Sequence, residues 1–342
     1  MMNDDGGRYP FGAFPAGWFV AALSTDLGPG QVLPLQRFGR ELVLFRTEAG
    51  APHILDAHCP HLGTHLGHGG RVQGDTLICP AHRRRYDPSG RCVEIPCDRA
   101  AALQGELRAW PVEEVNGFIL VHYHESGLEP SWRVPALDPL LSSEWLAPKY
   151  VHLPIRRANV WEMAADTADC NHFRFLHGFQ DPVLELRPQG PTLDGTMRFK
   201  FDPERYIGMK LDPVDAVTEQ TLYGLGLQTF TTRFRLGGVP IETYIATAEA
   251  PIADDRIAVC YAFSMKKLAD ADITATIASS LESTIVRGFD EDHAIHEHRI
   301  YIARPPLSAG DGPIAAFRRW TLQFYPDPSR FDRNGRSRVS RS

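Results

Sequence analysis

Two cysteine–histidine pairs in the N-terminal third of the chain constrain its fold more than any other feature. The first pair is Cys59-Pro60-His61, and the second, Cys79-Pro80-Ala81-His82, follows after an interval of seventeen residues. Both pairs lie in segments rich in Gly and Pro, which favour tight turns. Each pair offers one thiolate and one imidazole, so the two loops together predict a metal site with mixed ligands.

The mixed composition of each pair favours an iron–sulfur cluster over a zinc ion. Two thiolates on one iron and two imidazoles on the other are the ligands of a Rieske [2Fe–2S] cluster. Zinc also binds two cysteines and two histidines, but zinc-finger spacing puts both cysteines in one pair and both histidines in the other. Loops that hold no metal are the remaining alternative. We predict a Rieske cluster bound by Cys59, His61, Cys79 and His82.

Length and composition indicate a globular protein of more than one domain. A chain of 342 residues exceeds what one hydrophobic core usually supports. The net charge of −6 argues against a nucleic-acid partner, and no apolar run approaches the ~20 residues of a membrane span. The N-terminus has neither the basic segment nor the apolar core of a signal peptide, so we expect a cytoplasmic protein. In that reducing compartment the remaining cysteines are expected to be free thiols, although a Cys92–Cys97 pair is conceivable: Cys92, Cys97, Cys170 and Cys260.

Short alternating or apolar runs predict strands in two regions of the chain. Between about Trp18 and Tyr123 they suit a small antiparallel β domain that presents the cluster loops. A looser stretch, 125–148, contains the expected domain boundary. Strands then resume, with helical patterns around 159–177 and 272–300. We expect the Arg- and Ser-rich segment 327–342 to be disordered. The strand-like runs are 31–35, 41–45, 118–122, 227–235 and 256–263.

The first helical pattern offers a second metal site. Asp169 and His172 are three residues apart and share a helix face, whereas His177 lies five beyond His172 and requires the helix to end. Gly178 follows directly, as a C-terminal cap would. Two histidines that converge there, completed by a carboxylate, form the facial triad of non-haem Fe(II) oxygenases. By itself the histidine pair favours surface or hydrogen-bonded histidines over a metal site, and the upstream cluster reverses that preference.

The second helical pattern predicts the missing carboxylate. Ile285, Phe289, Asp292 and Ile295 fall on one apolar stripe, which makes Asp292 the acid on the buried face. A buried acid needs a partner, and a cation such as iron provides one. We expect the other acids of this segment to be solvated: Asp290, Glu291 and Glu297. Its histidines are expected to lie at the surface or to support the ligands without binding the metal: His293, His296 and His298.

A Rieske pair followed by Asp-x2-His-x4-His and a late helical Asp resembles the Rieske non-haem iron oxygenases, specifically their terminal oxygenase component. The resemblance covers about residues 16–326 and is greatest to the 3-ketosteroid 9α-hydroxylase oxygenases and cholesterol 7-desaturases. The cluster segment also resembles aminopyrrolnitrin-type arylamine oxygenases. The segments that carry the steroid-type likeness are 54–59, 90–96, 311–314, 318–320 and 323–325.

The resemblance implies an α+β fold. An antiparallel β Rieske [2Fe–2S] domain spans 16–125, and a helix-grip-like catalytic domain with a large antiparallel sheet spans 126–326. Cys59 and Cys79 are implied as ligands of one cluster iron, and His61 and His82 as ligands of the other. His172, His177 and Asp292 are implied as ligands of the mononuclear iron.

The resemblance also implies an electron route between subunits. Asp169 would be the bridging carboxylate that hydrogen-bonds His172 and, from a neighbouring subunit, His82, because a carboxylate between two imidazoles orients both. A homotrimer follows, in which each cluster serves the next subunit's iron. The sequence departs from the family where Ala81 and Arg83-Arg84 flank the last cluster histidine, and where Ala165-Asp166 replaces the usual Glu-Asn.

The implied activity is that of a terminal oxygenase. It would use O₂ and electrons from NAD(P)H, delivered by a ferredoxin or a ferredoxin reductase, to hydroxylate an apolar, steroid-like substrate. Desaturation, demethylation or N-oxygenation of an arylamine or secondary metabolite are alternatives, as is an electron carrier without oxygenase activity. We expect the substrate pocket between 175–265 and the 272–300 helix, with 223–227 and 244–248 as candidate lining segments.

Overall fold

The structure is a computed structural model that describes residues 8, 9, 11, 14–96 and 104–326. The predicted disordered segment 327–342 and Cys97 lie outside the described residues. Among the helices of the described part of the chain, none is long and apolar enough to cross a membrane.

The N-terminal part folds into antiparallel sheets, as the alternating runs predict. Strands β1, β11 and β10 form one sheet, β2, β3, β4 and β9 a second, and β5 to β8 a third. The last of these carries the second cysteine–histidine pair between β6 and β7. The strands are β1 Gly17–Leu23, β2 Val32–Arg37, β3 Arg40–Arg46, β4 Pro52–Asp56, β5 Arg71–Gln73, β6 Thr76–Ile78, β7 Arg85–Tyr86, β8 Cys92–Glu94, β9 Ala109–Trp110, β10 Val112–Val115 and β11 Phe118–Tyr123.

The C-terminal part is built on one seven-stranded antiparallel sheet. Its order, β12-β18-β17-β16-β15-β14-β13, is a meander from β13 to β18, closed by β12 at one edge. The strands are β12 Lys149–His152, β13 Gln180–Gln189, β14 Thr192–Phe201, β15 Val214–Tyr223, β16 Leu227–Leu236, β17 Val239–Ala253 and β18 Arg256–Met265. The helices are α1 Asp138–Leu141, α2 Val160–Asp166, α3 Cys170–Phe175, α4 Pro203–Ile207, α5 Ala271–His296 and α6 Ile314–Thr321.

Helix α5 packs its apolar stripe on one face of this sheet. Asp270 caps its N-terminus by accepting hydrogen bonds from the backbone N–H groups of Asp272 and Ile273. Leu281, Ile285 and Phe289 join the hydrophobic core that the sheet contributes on that face. The fold is therefore the predicted α+β type, with β sheets at the N-terminus and a large antiparallel sheet gripping a helix at the C-terminus.

The two faces of strand β17 have different surroundings, a hydrophobic core on one side and a cavity on the other. Its even positions Ala246, Ala248 and Ala250 are buried in a core shared with β1 of the N-terminal part. Its odd positions from 243 to 249 face the cavity under α5. Glycine at 226 permits the close contact with β1, since a Cβ there would lie 2.1 Å from the Trp18 carbonyl oxygen.

Candidate metal centres

The two cysteine–histidine pairs lie in loops with the same backbone pattern. In the first, Cys59 N–H donates to the Thr64 carbonyl at 2.9 Å, and Gly63 N–H donates back to the Cys59 carbonyl at 2.9 Å. In the second, Cys79 N–H donates to Arg84 at 2.9 Å, and Arg83 N–H donates to Cys79 at 3.0 Å. The two loops therefore present their side chains in matching fashion.

The four predicted cluster ligands meet at the tip of these loops. The cysteines are buried, whereas both histidines are exposed, with ring centroids 4.8 Å apart. Burial raises the pKa of the Cys79 thiol, the backbone N–H groups of His82 and Ala81 oppose that rise, and the adjoining Cys59 adds to it. Two buried thiols side by side fit a bound cation, which would stabilise their thiolate forms. The donor set thus fits a Rieske cluster.

A buried tyrosine contacts the sulfur side of this site. The Tyr86 hydroxyl lies 3.0 Å from the Cys59 Sγ atom, within hydrogen-bond distance for a sulfur acceptor. Tyr86 is fully buried on β7, directly after the second loop. Hydrogen bonds to the sulfurs are among the features that set the reduction potential of an iron–sulfur cluster.

His172, His177 and Asp292 come together at the end of α3 and the last turns of α5. The two histidine Nε2 atoms are 3.1 Å apart, and Asp292 Oδ1 lies 3.3 Å from His172 Nε2 and 3.2 Å from His177 Nε2. Among the described residues, this is the group of at least three His, Cys, Asp or Glu side chains whose donor atoms lie within 4.8 Å of one another. Metal–ligand bonds of about 2.1 Å at right angles place neighbouring donor atoms about 3 Å apart, so the triangle fits one octahedral face.

An unsatisfied oxygen supports the same interpretation. Asp292 Oδ1 is buried without a hydrogen-bond partner in the described structure, although it is the atom that faces both imidazoles. Burial by itself would raise the pKa of Asp292, but the two histidines outweigh burial and lower it. Burial by itself would lower the pKa of His172, and its pKa is nevertheless raised by Asp292 and other acids. A metal ion resolves this arrangement because it accepts all three donors.

Local structure explains how the two histidines converge. The predicted 159–177 helix is two helices, α2 and α3, separated by a turn at 167–169. Asp169 caps α3, and its Oδ1 accepts a hydrogen bond from the backbone N–H of His172 at 3.0 Å. Helix α3 ends at Phe175 with Leu176 as its C-cap, so Gly178, whose φ is +76°, lies two residues beyond the observed cap and not at it as predicted. From α4, the Tyr206 hydroxyl donates to the His177 carbonyl at 2.6 Å and fixes the following turn.

Asp166 and His296 form a buried pair that the sequence analysis did not anticipate. His296 Nε2 lies 2.5 Å from Asp166 Oδ2, and Arg299 Nη1 donates to Asp166 Oδ1 at 2.6 Å. Burial acts to raise the pKa of Asp166, yet His296 and Arg299 outweigh it and the pKa is lowered. His296 is only 2% exposed and stands outside the group of three metal-binding candidates, so of its two expected positions the surface one is excluded. Asp166 lines the cavity, and these two partners compensate its charge.

Glu291 is only 30% exposed and faces His177, so it is less solvated than expected. Glu291 Oε2 lies 3.6 Å from His177 Nδ1, and Oε1 lies 3.6 Å from an Arg205 nitrogen. Its neighbours Asp290 and Glu297 do remain largely exposed. The stripe also ends earlier than expected, because Ile295 is exposed. Glu291 thus stands behind His177, where its charge acts on the outward nitrogen of that ring.

A cavity of about 260 Å³ opens beside the three donors, between the sheet and α5. As expected, strands of 175–265 and α5 contribute its walls, and Ile245 and Thr247 represent the 244–248 segment. The 223–227 segment is instead core, since Leu225 and Leu227 are buried against the N-terminal part. The apolar lining consists of Met163, Phe173, Phe179, Met197, Phe199, Phe201, Phe230, Phe234, Ile245, Phe263, Leu281, Ile285 and Phe289.

Comparison with known proteins gives this geometry a family. Residues 17–113 match the Rieske [2Fe-2S] domain, and residues 121–325 match the 3-ketosteroid 9alpha-hydroxylase C-terminal domain. The oxygenase component of a 3-ketosteroid-9-alpha-monooxygenase from Rhodococcus rhodochrous is 27% identical over 96% of this chain and 88% of its own length. The cholesterol 7-desaturase of Caenorhabditis elegans is 28% identical over 92% of this chain and 78% of its own length.

Solved structures share the fold at lower sequence identity. Dicamba monooxygenase bound to dicamba has a TM-score of 0.71 at 17% identity, over 90% of this chain and 96% of that chain. Pseudomonas putida CBB5 NdmA with caffeine has a TM-score of 0.68 at 16% identity, over 95% and 97%. Because the C-terminal family match spans well over half of the chain and follows a Rieske domain, the chain belongs to the 3-ketosteroid 9α-hydroxylase family of Rieske oxygenases.

Proposed function

We propose that this chain is the terminal oxygenase of a multicomponent system that hydroxylates an apolar, steroid-like substrate with O₂. Electrons from NAD(P)H would arrive through a ferredoxin, a ferredoxin reductase, or both. The observation that carries the proposal is the triangle of His172, His177 and Asp292 at the wall of a mainly apolar cavity. A cytoplasmic location is part of this proposal.

Each predicted ligand has a role in this proposal. Cys59 and Cys79 would hold one cluster iron and His61 and His82 the other, and His172, His177 and Asp292 would hold the mononuclear iron. The cluster supplies single electrons and the mononuclear iron supplies O₂ activation when both are bound. The protein contributes ligand orientation, exclusion of water by the phenylalanine-rich wall, and the position of the substrate.

Asp169 is proposed as the link between the two centres. It caps α3 beside His172, and its charge contributes to raising the pKa of that histidine. A second hydrogen bond from His82 of a neighbouring subunit would complete the bridge in a homotrimer. The exposure of both cluster histidines supports this proposal, because a neighbouring chain has access to them. The exposed apolar side chains Leu62 and Phe175, beside His61 and on α3, supply surface for such a contact.

Desaturation is a second outcome that one observation favours. The relatives include cholesterol 7-desaturases at 28% identity as well as 3-ketosteroid monooxygenases. Both activities use the same iron site and differ in which substrate atom lies nearest to it. The product, and not the ligand set, therefore distinguishes them.

A single-turnover assay tests the proposal. The reduced protein is mixed without oxygen with a panel of 3-keto and 3-hydroxy steroids, O₂ is admitted, and products are analysed by mass spectrometry. Gain of an oxygen atom indicates hydroxylation, and loss of two hydrogens indicates desaturation. No product from any steroid would contradict the substrate class and direct the search to arylamines and other apolar metabolites.

Metal analysis separates the oxygenase from an electron carrier. We expect His172→Ala to lose the mononuclear iron and turnover while the visible absorption of the cluster is retained. His298→Ala is the matched control, because His298 is an exposed histidine two residues beyond the end of α5 and outside the group of metal-binding candidates. A His172→Ala protein with unchanged iron content and turnover would refute the assigned site.

A further inference from the structure

Glu249 is a buried acid for which the proposed chemistry has no use. It lies on β17 with an exposed fraction of 0% and faces the cavity. Its neighbours along the strand, Ala248 and Ala250, face the opposite core. An ionisable side chain is costly to bury, so the presence of Glu249 at a cavity wall points to a ligand.

The groups that hold Glu249 are uncharged. Gln228 Nε2, from the adjacent strand β16, donates to Glu249 Oε1 at 3.1 Å and to Oε2 at 3.2 Å. Gln228 is itself 2% exposed and also lines the cavity. Thr247 provides the other hydrogen bond to the carboxyl group. The site is therefore a built polar spot, oriented by a buried amide, in a mainly apolar wall that also carries threonine side chains.

The protonation state of this acid follows from its surroundings. Burial raises the pKa of Glu249 to about 7, and the hydrogen bonds from Gln228 and Thr247 oppose the rise only in part. At pH 6 the carboxyl group is mainly protonated and can donate to a carbonyl oxygen. At pH 8 it is mainly ionised and can only accept, as from a hydroxyl group.

We propose, on the basis of the function proposed above, that Glu249 and Gln228 bind an uncharged oxygen, keto or hydroxyl, of an otherwise apolar substrate. The contact fixes which end of the substrate enters the cavity first and so which carbon lies beside the three metal ligands. A site built to hydrogen-bond such an oxygen discriminates against analogues that lack it, because its own buried polar groups are then left unpaired.

Binding measurements on the cluster-loaded protein test this proposal. The probes are 5α-androstane-3,17-dione, the 3-monoketone and the 17-monoketone, titrated by tryptophan fluorescence or calorimetry. We expect Glu249→Leu to weaken binding of the dione about tenfold or more. The monoketone that lacks the recognised oxygen should bind the variant and the native protein equally. Glu242→Gln, on the outward side of the same strand beside Arg233, is the matched control.

The pH dependence identifies the kind of oxygen. Between pH 6 and 8.5 the dione should bind the native protein progressively more weakly, whereas the corresponding 3,17-diol should not. Glu249→Gln, which is uncharged at every pH, should bind the dione with little dependence on pH. This conservative variant also serves if Glu249→Leu fails to fold.

Other ionisable groups near β17 do not account for such a profile. Burial raises the pKa of Cys260 and of Tyr261 to about 12 and lowers that of Arg37 to about 10, while the pKa of Asp166 lies below its usual range. Glu249→Gln retains every other ionisable group that lines the cavity, so a pH dependence that persists in this variant would refute the proposal.

The outcomes separate this inference from the function on which it rests. Equal dione affinity in the native protein and in both Glu249 variants, with steroid still turned over, would overturn the polar contact alone. No steroid binding to the native protein would overturn the substrate class, and with it the contact as proposed.

Discussion

Gly63 and Arg83 occupy equivalent positions in the two cluster loops, but only one of them suits its backbone. Their φ angles are +76° and +58°, in the left-handed region that favours glycine. For a residue with a Cβ this conformation costs roughly 1–2 kcal/mol. Arg83 is one of the positions at which this sequence departs from the family, and the departure falls on a strained residue.

We therefore expect Arg83→Gly to stabilise the chain by about 1 kcal/mol, because glycine removes the strain in the second loop. Thermal or denaturant unfolding of the cluster-loaded protein measures the change. Arg84→Gly is the matched control, since Arg84 has no positive φ and glycine there only adds freedom to the unfolded chain. Equal or lower stability of Arg83→Gly would show that the arginine side chain makes a contact worth more than the strain.

At the residue scale, the side chains that meet at the two candidate metal centres could be predicted, while the residues around them could not. Cys59, His61, Cys79 and His82 follow from local spacing, and Asp292 from its place on an apolar stripe. Glu291 was misplaced because its neighbours, His177 and Arg205, come from other elements. Glu249 could have been noticed in the sequence, because it is the only acid in the mainly apolar run 244–252. The alternation of the strand does not tell, however, whether a side chain at this position faces a cavity or the solvent.

At the scale of elements, the long helix was predictable and the first helical pattern was not. The 272–300 pattern corresponds to α5, Ala271–His296, because its stripe recurs over several turns. The 159–177 pattern divides into α2 and α3. Asp169 is the N-cap of α3 and accepts a hydrogen bond from a backbone N–H group, a role that Asp fills more favourably than a position inside a helix. The predicted strands match β2, β3, β11, β16 and β18 to within a few residues.

Asp166 ties α2 to the end of α5, so its removal should affect stability as well as the site. We expect Asp166→Ala to destabilise the chain by about 3–5 kcal/mol, because His296 and Arg299 lose their partner in a buried setting. Chemical denaturation measures the free energy of unfolding. Asp290→Ala is the control. It also removes an ion pair, with Arg156, but the Asp290 carboxylate is largely exposed, and exposed ion pairs contribute little to stability. A change below 1 kcal/mol for Asp166→Ala would contradict a structural role for this pair.

At the scale of the whole molecule, one hydrophobic core joins the two predicted domains. Trp18 and Phe19 of β1 pack with Ala246 and Ala248 of β17, and Arg37 donates to the Val20 and Ala21 carbonyls behind them. The 125/126 boundary remains a prediction from composition. Because residues on both sides of this boundary pack in one core, the boundary does not imply that the two parts fold independently.

We expect a chain restricted to residues 126–326 not to fold into a stable monomer. Removing β1 and β11 would expose the small-residue face of the large sheet, which is 0% exposed at Ala246, Ala248 and Ala250. Size-exclusion chromatography, near-UV circular dichroism and dye binding to exposed apolar surface check this, with the full chain as reference. A monodisperse fragment with native-like near-UV signal would show that the C-terminal part folds by itself.

The different surroundings of the two faces of β17 bear on how the substrate specificity could be redesigned. On this strand the alternate positions 243, 245, 247 and 249 face the cavity, and a combinatorial library restricted to them leaves the packing between the two halves untouched. Deleting or inserting one residue in β17 would exchange its two faces. The alanines would then face the cavity, and the polar side chains would face the core. We therefore expect new specificities to be obtained by substitutions along this strand and not by changes of its length.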